Sequence, residues 1–199
     1  MKKIFITSLI TGFLICMVLL LSTCKQTTQP EEKDETGLVV PGAGIIVPGI
    51  SVEGIKLGDT KDTVEAKLGK PTSVGWADGL SRGWRLYCYS EGDSRDPNDV
   101  KLEFYFIDNG DDYGPVDDIS IGPKYKGKTK EGIGIGTALE QVHQAYGLPA
   151  ESFLSERNIV EKYCLNGRKL EIHYNNKDSL ITVMSTGYFV PMQEDNPCK

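Results

Sequence analysis

A segment of eighteen residues occurs twice in this chain, 78 positions apart, and this repeat constrains the fold more than any other feature. Residues 54–71 read GIKLGDTKDTVEAKLGKP, and residues 132–149 read GIGIGTALEQVHQAYGLP. The segments align without a gap and share six residues, where about one identity is expected by chance. We interpret this as a duplication, so the fold should contain two copies of one unit.

Each copy carries the pattern of a short helix. Apolar residues four positions apart place one helix face in a core: Val64 with Leu68, and Val142 with Tyr146. Each helix is expected to end at a glycine and to be followed by a proline: Gly69 with Pro71, and Gly147 with Pro149. The predicted N-terminal capping pairs are Asp59 with Asp62, and Thr137 with Glu140.

Matching β-strands follow the two helices. Residues 101–106 (KLEFYF) alternate strictly, so Leu102, Phe104 and Phe106 share one face, and residues 169–174 (KLEIHY) repeat the pattern. Two further matched pairs of strands are 84–90 with 160–166, and 116–121 with 180–185. The predicted fold class is α+β: two tandem repeats, each a short helical segment packed on a three- to four-stranded antiparallel sheet with one buried and one solvated face.

The N-terminus has the layout of a secretory signal. Lys2 and Lys3 precede an apolar run over residues 4–21, and residues 21–24 read LSTC, which resembles a bacterial lipoprotein box. We therefore predict a signal peptide over 1–23 and lipidation of Cys24. The alternative is an uncleaved membrane anchor, since the apolar run is just long enough to span a bilayer. Either way the rest of the chain is expected to be tethered outside the cytoplasm. For the lipoprotein we predict a location at the outer membrane, facing the periplasm or the cell surface.

The remaining chain divides by composition. Residues 24–49 are predicted to be a flexible linker with a Gly/Pro-rich end, because polar residues without periodicity dominate its first part. The first module covers 50–125, the second module covers 126–190, and a C-terminal tail covers 191–199.

Charge and cysteines limit the possible partners. Of 22 basic residues, two precede the cleavage point, so 20 basic and 28 acidic side chains remain and the net charge is −8. An acidic chain without a basic stripe does not suit nucleic acid. Cys88, Cys164 and Cys198 can form at most one disulfide, and the sequence leaves its pairing open.

No motif indicates catalysis or a metal. The two histidines, His143 and His173, have no matching histidine in the other repeat, which argues against a metal pair or a nucleophilic triad. Two acidic loops, 91–99 and 108–118, offer oxygen ligands but do not follow the EF-hand order. We therefore predict no catalytic residues, no metal and no cofactor, and a protein that is not an enzyme.

The repeated motif resembles a known family. The pattern G-I-x-[LI]-G-x5-V ending in G-x-P, followed by a strand that carries a tyrosine, is similar to the modules of β-lactamase inhibitory protein. It is also similar to the small lipoprotein of the outer-membrane β-barrel assembly machinery. The resemblance covers residues 54 to about 189. It implies two tandem modules whose sheets together offer a concave surface to a protein partner, and it assigns no contact residues here.

The alternation of the strands supplies the candidate site. Six residues face away from the predicted core and form a candidate protein-binding face: Lys101, Glu103, Tyr105, Lys169, Glu171 and His173. The alternative is an ordinary solvated surface. The predicted function is a lipid-anchored cell-envelope protein that binds another envelope protein as an inhibitor or assembly scaffold. The alternatives are a small-ligand carrier or enzyme using the cleft between modules, or a surface-exposed structural antigen.

Overall fold

The computed structural model describes residues 44–78, 83–93, 95–110, 112–155 and 157–187. The predicted signal peptide, Cys24, the linker up to residue 43 and the tail at 191–199 lie outside the described residues. Among the residues described, the helices are too short and too polar to cross a bilayer.

Two helices and eleven strands make up the described part of the chain, and they are numbered here in chain order. The first group is β1 (Ile46–Val47), β2 (Ser51–Val52), β3 (Ile55–Lys56), α1 (Lys61–Leu68), β4 (Ser73–Asp78), β5 (Gly83–Ser90), β6 (Val100–Asp108) and β7 (Tyr113–Ile121). The second group is α2 (Leu139–Tyr146), β8 (Glu151–Leu154), β9 (Asn158–Leu165), β10 (Arg168–Asn175) and β11 (Ile181–Gly187). The structure is therefore mixed, with mostly antiparallel strands, as the α+β prediction requires.

Eight of the strands form one continuous antiparallel sheet in the order β4-β5-β6-β7-β11-β10-β9-β8. We call α1 with β4–β7 the first half, and α2 with β8–β11 the second half. The sequence predicted a separate sheet for each unit, but the last strands of the two halves pair directly, with Ser120 opposite Ser185. This pairing covers two backbone edges that separate sheets would leave exposed.

The core lies on one side of this sheet. The predicted inward residues Leu102, Phe104 and Phe106 are completely buried, and Val64 of α1 and Val142 of α2 pack in the same hydrophobic cluster. Both helices therefore cover the same face, which we call the inner face. The predicted orientation of the helices is confirmed.

The helix ends follow the prediction at one end only. Gly69 and Gly147 adopt positive φ angles of 76° and 79° after the last helical residues. The predicted N-terminal capping pairs are wrong. Thr60, one position later than expected, caps α1 by accepting a hydrogen bond from the Thr63 N–H, because Asp59 accepts one from the Lys56 N–H instead.

The cap of α2 differs for a similar reason. Thr137 accepts a hydrogen bond from the Gly134 N–H, so its hydroxyl closes the preceding turn. The N-cap position falls to Ala138, which has no side-chain oxygen and makes no capping hydrogen bond.

A small sheet of β1, β2 and β3 packs beside the helices. Ile46, Val52 and Ile55 are buried in the common core, and the Gly49 N–H donates to the Thr186 hydroxyl on β11. Residues 44–49, which the sequence assigned to the end of the linker, thus contribute a strand in this structure.

Candidate protein-binding face

The six candidate residues all lie on β6 and β10, on the side of the sheet opposite the helices, which we call the outer face. Cross-strand pairing connects the two strands in a single row, in which Glu103 faces Ser120, Ser120 faces Ser185, and Ser185 faces Glu171. Three strand spacings put the two glutamates about 14 Å apart. Pairing of β7 with β11 therefore brings both predicted groups onto one surface.

The outer face is less exposed than the sequence suggested. The side chains of Lys101, Lys169 and Glu171 retain only about one fifth of their full exposure. The predicted fully solvated face must be corrected to a half-buried one, because its side chains contact one another along each strand and, for Lys101, contact Glu91 after β5. Electrostatic interactions in such a surface are screened less than those between fully exposed groups.

In the second half, the carboxylate of Glu171 is neutralised within the chain. His173 Nε2 lies 2.8 Å from one of its oxygens, and Lys169 Nζ lies 3.4 Å from the other. The hydrogen bond from His173 and the positive charge of Lys169 lower the pKa of Glu171 to about 2, against the opposing effect of burial.

In the first half, the equivalent carboxylate of Glu103 contacts a tyrosine. The Tyr105 hydroxyl donates a hydrogen bond of 3.1 Å to Glu103 Oε2. Lys101 points instead to the loop after β5, where its Nζ lies 3.3 Å from Glu91 Oε1. Among the described residues, no Lys, Arg or His forms an ion pair with Glu103. Burial, and then the nearby Glu103 charge, raise the pKa of Tyr105, so its hydroxyl keeps its proton.

Asp118 lies between the two groups, and sequence reasoning missed it. It faces Tyr105 on β6 and Gly187 on β11, and its side chain occupies the space that a side chain at position 187 would need. Its Oδ2 lies 4.0 Å from Lys169 Nζ, whereas its buried Oδ1 has no hydrogen-bond partner among the described residues. Burial raises the pKa of Asp118 to about 6. The sequence did contain a signal for this site, because Asp117 and Asp118 are adjacent acidic residues inside the predicted strand 116–121.

A pocket of about 300 Å³ opens on the outer face beside Glu103. Ser120 and Val183 contribute to it from β7 and β11, and Pro97 and Pro123 contribute from the loops that follow β5 and β7. Arg95 lies at the pocket as well, with a side chain that is 89% exposed. We call this the Glu103 pocket.

Ion pairs hold the loop that forms one wall of this pocket. Glu91 contacts Lys101, and Lys124 lies 3.8 Å from Asp99, so both ends of the loop are tied to the sheet. This is the first of the two acidic loops noted in the sequence. Across the described residues, the chain has no cluster of three or more His, Cys, Asp and Glu side chains placed to hold a metal ion.

The other histidine lies on the opposite side of the sheet. His143 Nε2, on α2, is 2.9 Å from the buried carboxylate of Glu161, which also accepts a 2.6 Å hydrogen bond from the Tyr163 hydroxyl. This arrangement joins α2 to β9 and belongs to the helix–sheet interface rather than to the outer face.

The structure gives the state of two of the three cysteines whose pairing the sequence left open. Cys88 is a free, buried thiol next to Glu103 on the outer face, and burial raises its pKa. Cys164 is disulfide-bonded, and its partner lies outside the described residues.

Comparison with known proteins gives a fold but no family. The sequence matches no family model and no curated protein. An extracellular protein with an SCP domain from Bacillus anthracis is similar in structure, with a TM-score of 0.50 at 12% identity. The match covers 72% of this chain and 47% of that protein, so the chain spans about half of its length. This similarity concerns the fold.

Two weaker matches are a DUF4309 family protein from Bacillus subtilis and a candidate β-lactamase inhibitor protein from Streptococcus mutans. The first has a TM-score of 0.44 at 16% identity and covers 69% of this chain and 84% of that one. The second has a TM-score of 0.26 at 10% identity and covers 69% of this chain and 88% of that one. Both scores are too low to carry an argument about this chain.

Proposed function

We propose that this chain is an exported, lipid-anchored cell-envelope protein that binds another envelope protein through its outer face, as an inhibitor or assembly scaffold. The observation that carries the proposal is the single surface on which Lys101, Glu103, Tyr105, Lys169, Glu171 and His173 lie. A rigid eight-stranded sheet presents these groups at fixed positions, which lowers the entropic cost of binding.

The surface also has the composition of a binding site. Half-buried charged groups and Tyr105 surround a pocket, and the helices leave this side of the sheet uncovered. Aromatic and charged groups of this kind give specificity when a partner removes them from water. Binding rather than catalysis is proposed because both histidines contact carboxylates, at Glu161 and Glu171, and neither adjoins a nucleophile.

The two halves are proposed to be tandem repeats of one module. Each half runs from a helix through four antiparallel strands, and the order of strands in the sheet is symmetric about the β7–β11 pair. Tyr87 and Tyr163 support the relation, since each hydroxyl joins a strand to the helix region of its half by a 2.6 Å hydrogen bond to a glutamate. Tyr87 donates to Glu65 on α1, and Tyr163 donates to Glu161 on β9, which in turn contacts His143 on α2.

Export and lipidation are proposed from the N-terminal sequence. Residues 1–24 carry the signal pattern and Cys24, and the structural relative from Bacillus anthracis is described as extracellular. Labelling living cells with an alkyne fatty acid tests this directly: wild-type protein should be labelled, and a Cys24→Ala variant should not.

Photo-crosslinking in the native host tests the binding function. A photoreactive residue replaces Tyr105 in one strain and His173 in another, and Asp62 on α1, whose side chain is 86% exposed, serves as the control position. We expect one discrete envelope protein to be captured from both outer-face positions and not from position 62. The captured protein, once purified, should bind the wild-type chain in solution.

The alternative functions predict other results. A ligand carrier or enzyme would yield no protein at positions 105 and 173 while small molecules copurify with the chain. A structural antigen would yield no discrete partner but would be removed by protease treatment of intact cells. Either pattern, with the chain folded and abundant, contradicts the proposed binding function.

A further inference from the structure

We infer that the Glu103 pocket receives a positively charged side chain, arginine or lysine, from the bound protein. The inference deepens the proposed function and rests on it for the identity of the donor as a protein. It rests on three observations about the described residues: Glu103 forms no ion pair with any of their cations, a cavity lies beside its carboxylate, and Arg95, Lys101 and Lys124 near the pocket are paired with other carboxylates.

The carboxylate is unusual within its own sheet. Glu171, at the matching position of β10, contacts His173 through one oxygen and the ammonium group of Lys169 through the other, whereas among the described residues Glu103 accepts a hydrogen bond from the neutral Tyr105 hydroxyl and forms no ion pair. A half-buried carboxylate that is not paired has lost hydration without an equal return. A cation that reaches it from outside would recover that loss, and hydrogen bonds to ionised groups are about twice as strong as neutral ones.

The pocket has the shape and lining for a long cationic side chain. Its volume of about 300 Å³ is at the lower end of the range for ligand sites. Apolar Pro97, Pro123 and Val183 can pack against the methylene groups of lysine or arginine, while the hydroxyl of Ser120 and the carboxylate of Glu103 can receive the charged end. An anionic ligand would be repelled by Glu103.

Among the described residues, the cations near the pocket have other partners. Arg95, at the pocket rim, is bound to Asp93 by two hydrogen bonds of 3.0 and 3.1 Å. Lys101 contacts Glu91, and Lys124 contacts Asp99. The pocket beside Glu103 is therefore present in this structure with its neighbouring cations engaged elsewhere.

Nuclear magnetic resonance titration with a small probe tests the inference. The full folded chain, labelled with ¹⁵N, is titrated with N-acetyl-arginine amide, and in parallel with the neutral isostere N-acetyl-citrulline amide. We expect saturable shifts of the amides of Ser120, Gly122 and Val183 with the arginine probe and none with the citrulline probe. Raising the salt concentration should weaken the binding, since the contact is ionic.

Two variants and a matched control locate the charge. Glu103→Gln keeps the hydrogen bond from Tyr105 and should weaken the arginine probe by at least about fivefold. Ser120→Val fills the pocket floor with a good strand-former and should weaken it as well. Asp62→Asn removes the same charge from the far side of the molecule and should leave the binding unchanged. Well-dispersed spectra establish that each variant is folded.

Each outcome decides the inference. Equal shifts with arginine and citrulline probes, no shift at the pocket, or unchanged affinity in Glu103→Gln would overturn it. Its failure is distinguishable from that of the proposed function. A partner captured at Tyr105 and His173 that binds Glu103→Gln as tightly as wild type refutes the pocket alone, whereas probe binding without any captured partner refutes the protein-binding function alone.

Discussion

The two halves of the outer face place a lysine and a glutamate at matching positions but use them differently. On β10, Lys169 and His173 both contact Glu171. On β6, Lys101 turns away to Glu91, and Glu103 accepts a hydrogen bond from Tyr105. The difference has two sources: tyrosine replaces histidine at position 105, and the acidic loop after β5 supplies a competing carboxylate for Lys101.

This contrast separates stability from recognition within one sheet. A carboxylate whose charge is balanced inside the chain stabilises the fold and has little left to offer a partner. A carboxylate left unbalanced contributes little to folding and retains its capacity to bind. The second half is therefore expected to act as support, and the first half as the recognition site.

The largest effects should come from the core, where the halves are predicted to behave alike. Phe104 and Ile172 occupy matching inner positions and are completely buried. Replacing either by alanine should lower the free energy of unfolding by about 3 kcal/mol, because a cavity opens in a shared core. Chemical denaturation should show one transition in both variants. Two separate transitions would mean that the halves unfold independently.

The next largest effect should be a difference in stability cost between replacing Glu171 and replacing Glu103. Glu171→Gln removes the ion pair with Lys169 and weakens the hydrogen bond with His173, and it should cost about 2 kcal/mol at pH 7. Since the folded pKa of Glu171 is lowered to about 2, this contribution is present above pH 4.5 and is lost as pH falls towards 2.

Glu103→Gln is the matched control for this measurement. It breaks no ion pair and should cost less than about 1 kcal/mol. Thermal unfolding of both variants at pH 7 and pH 3 gives the comparison, and equal costs for the two changes would remove the distinction between the halves.

Replacing Asp118 should have a smaller effect on stability, and it should stabilise the protein instead of destabilising it. Its folded pKa is raised to about 6, so the protonated form is favoured in the folded state and stability falls as pH rises from about 4 to about 6. Asp118→Asn should therefore stabilise the protein by about 1–2 kcal/mol at pH 8. The gain should disappear near pH 4. A loss of stability at pH 8 would show that the contact with Lys169 outweighs burial.

The helix caps should give the smallest difference between the halves. Thr60→Ala removes the side-chain cap of α1 and should cost about 1 kcal/mol. In α2 the N-cap position is already alanine, so the Ala138→Ser variant should raise the free energy of unfolding by about half of that amount. Melting curves recorded by circular dichroism should show a lower melting temperature for Thr60→Ala and a higher one for Ala138→Ser.

Local patterns in the sequence predicted much of this structure. Strict alternation gave the inner residues of β6 and β10, and the glycines gave the ends of both helices, because these features depend on neighbouring residues alone. The caps were misplaced by one position at Thr60 and Ala138. Competing turns captured the side chains of Asp59 and Thr137, and a pattern of residue types cannot rank such alternatives.

The arrangement of the candidate site could not be predicted from the sequence, because it depends on contacts between distant parts of the chain. Pairing of β7 with β11 joins residues 63 or more positions apart in the chain, and no local signal specifies which edges meet. The same holds for the environment of Asp118 over Gly187 and for the diversion of Lys101 to Glu91. The sequences KLEFYF and KLEIHY show the change from tyrosine to histidine beside the glutamate, but they do not show that Lys101 pairs with Glu91 while Lys169 pairs with Glu171.

Carboxyl labelling in the native envelope tests the central claim most directly. Carbodiimide with an amine tag is applied to intact cells and to the purified protein, and mass spectrometry compares modification of Glu103 with that of Asp62 on α1. A partner on the outer face predicts that Glu103 is modified several-fold less in cells than in the purified protein, while Asp62 reacts equally in both. Equal modification of Glu103 in the two samples would show that its pocket is open in the envelope and would contradict the account.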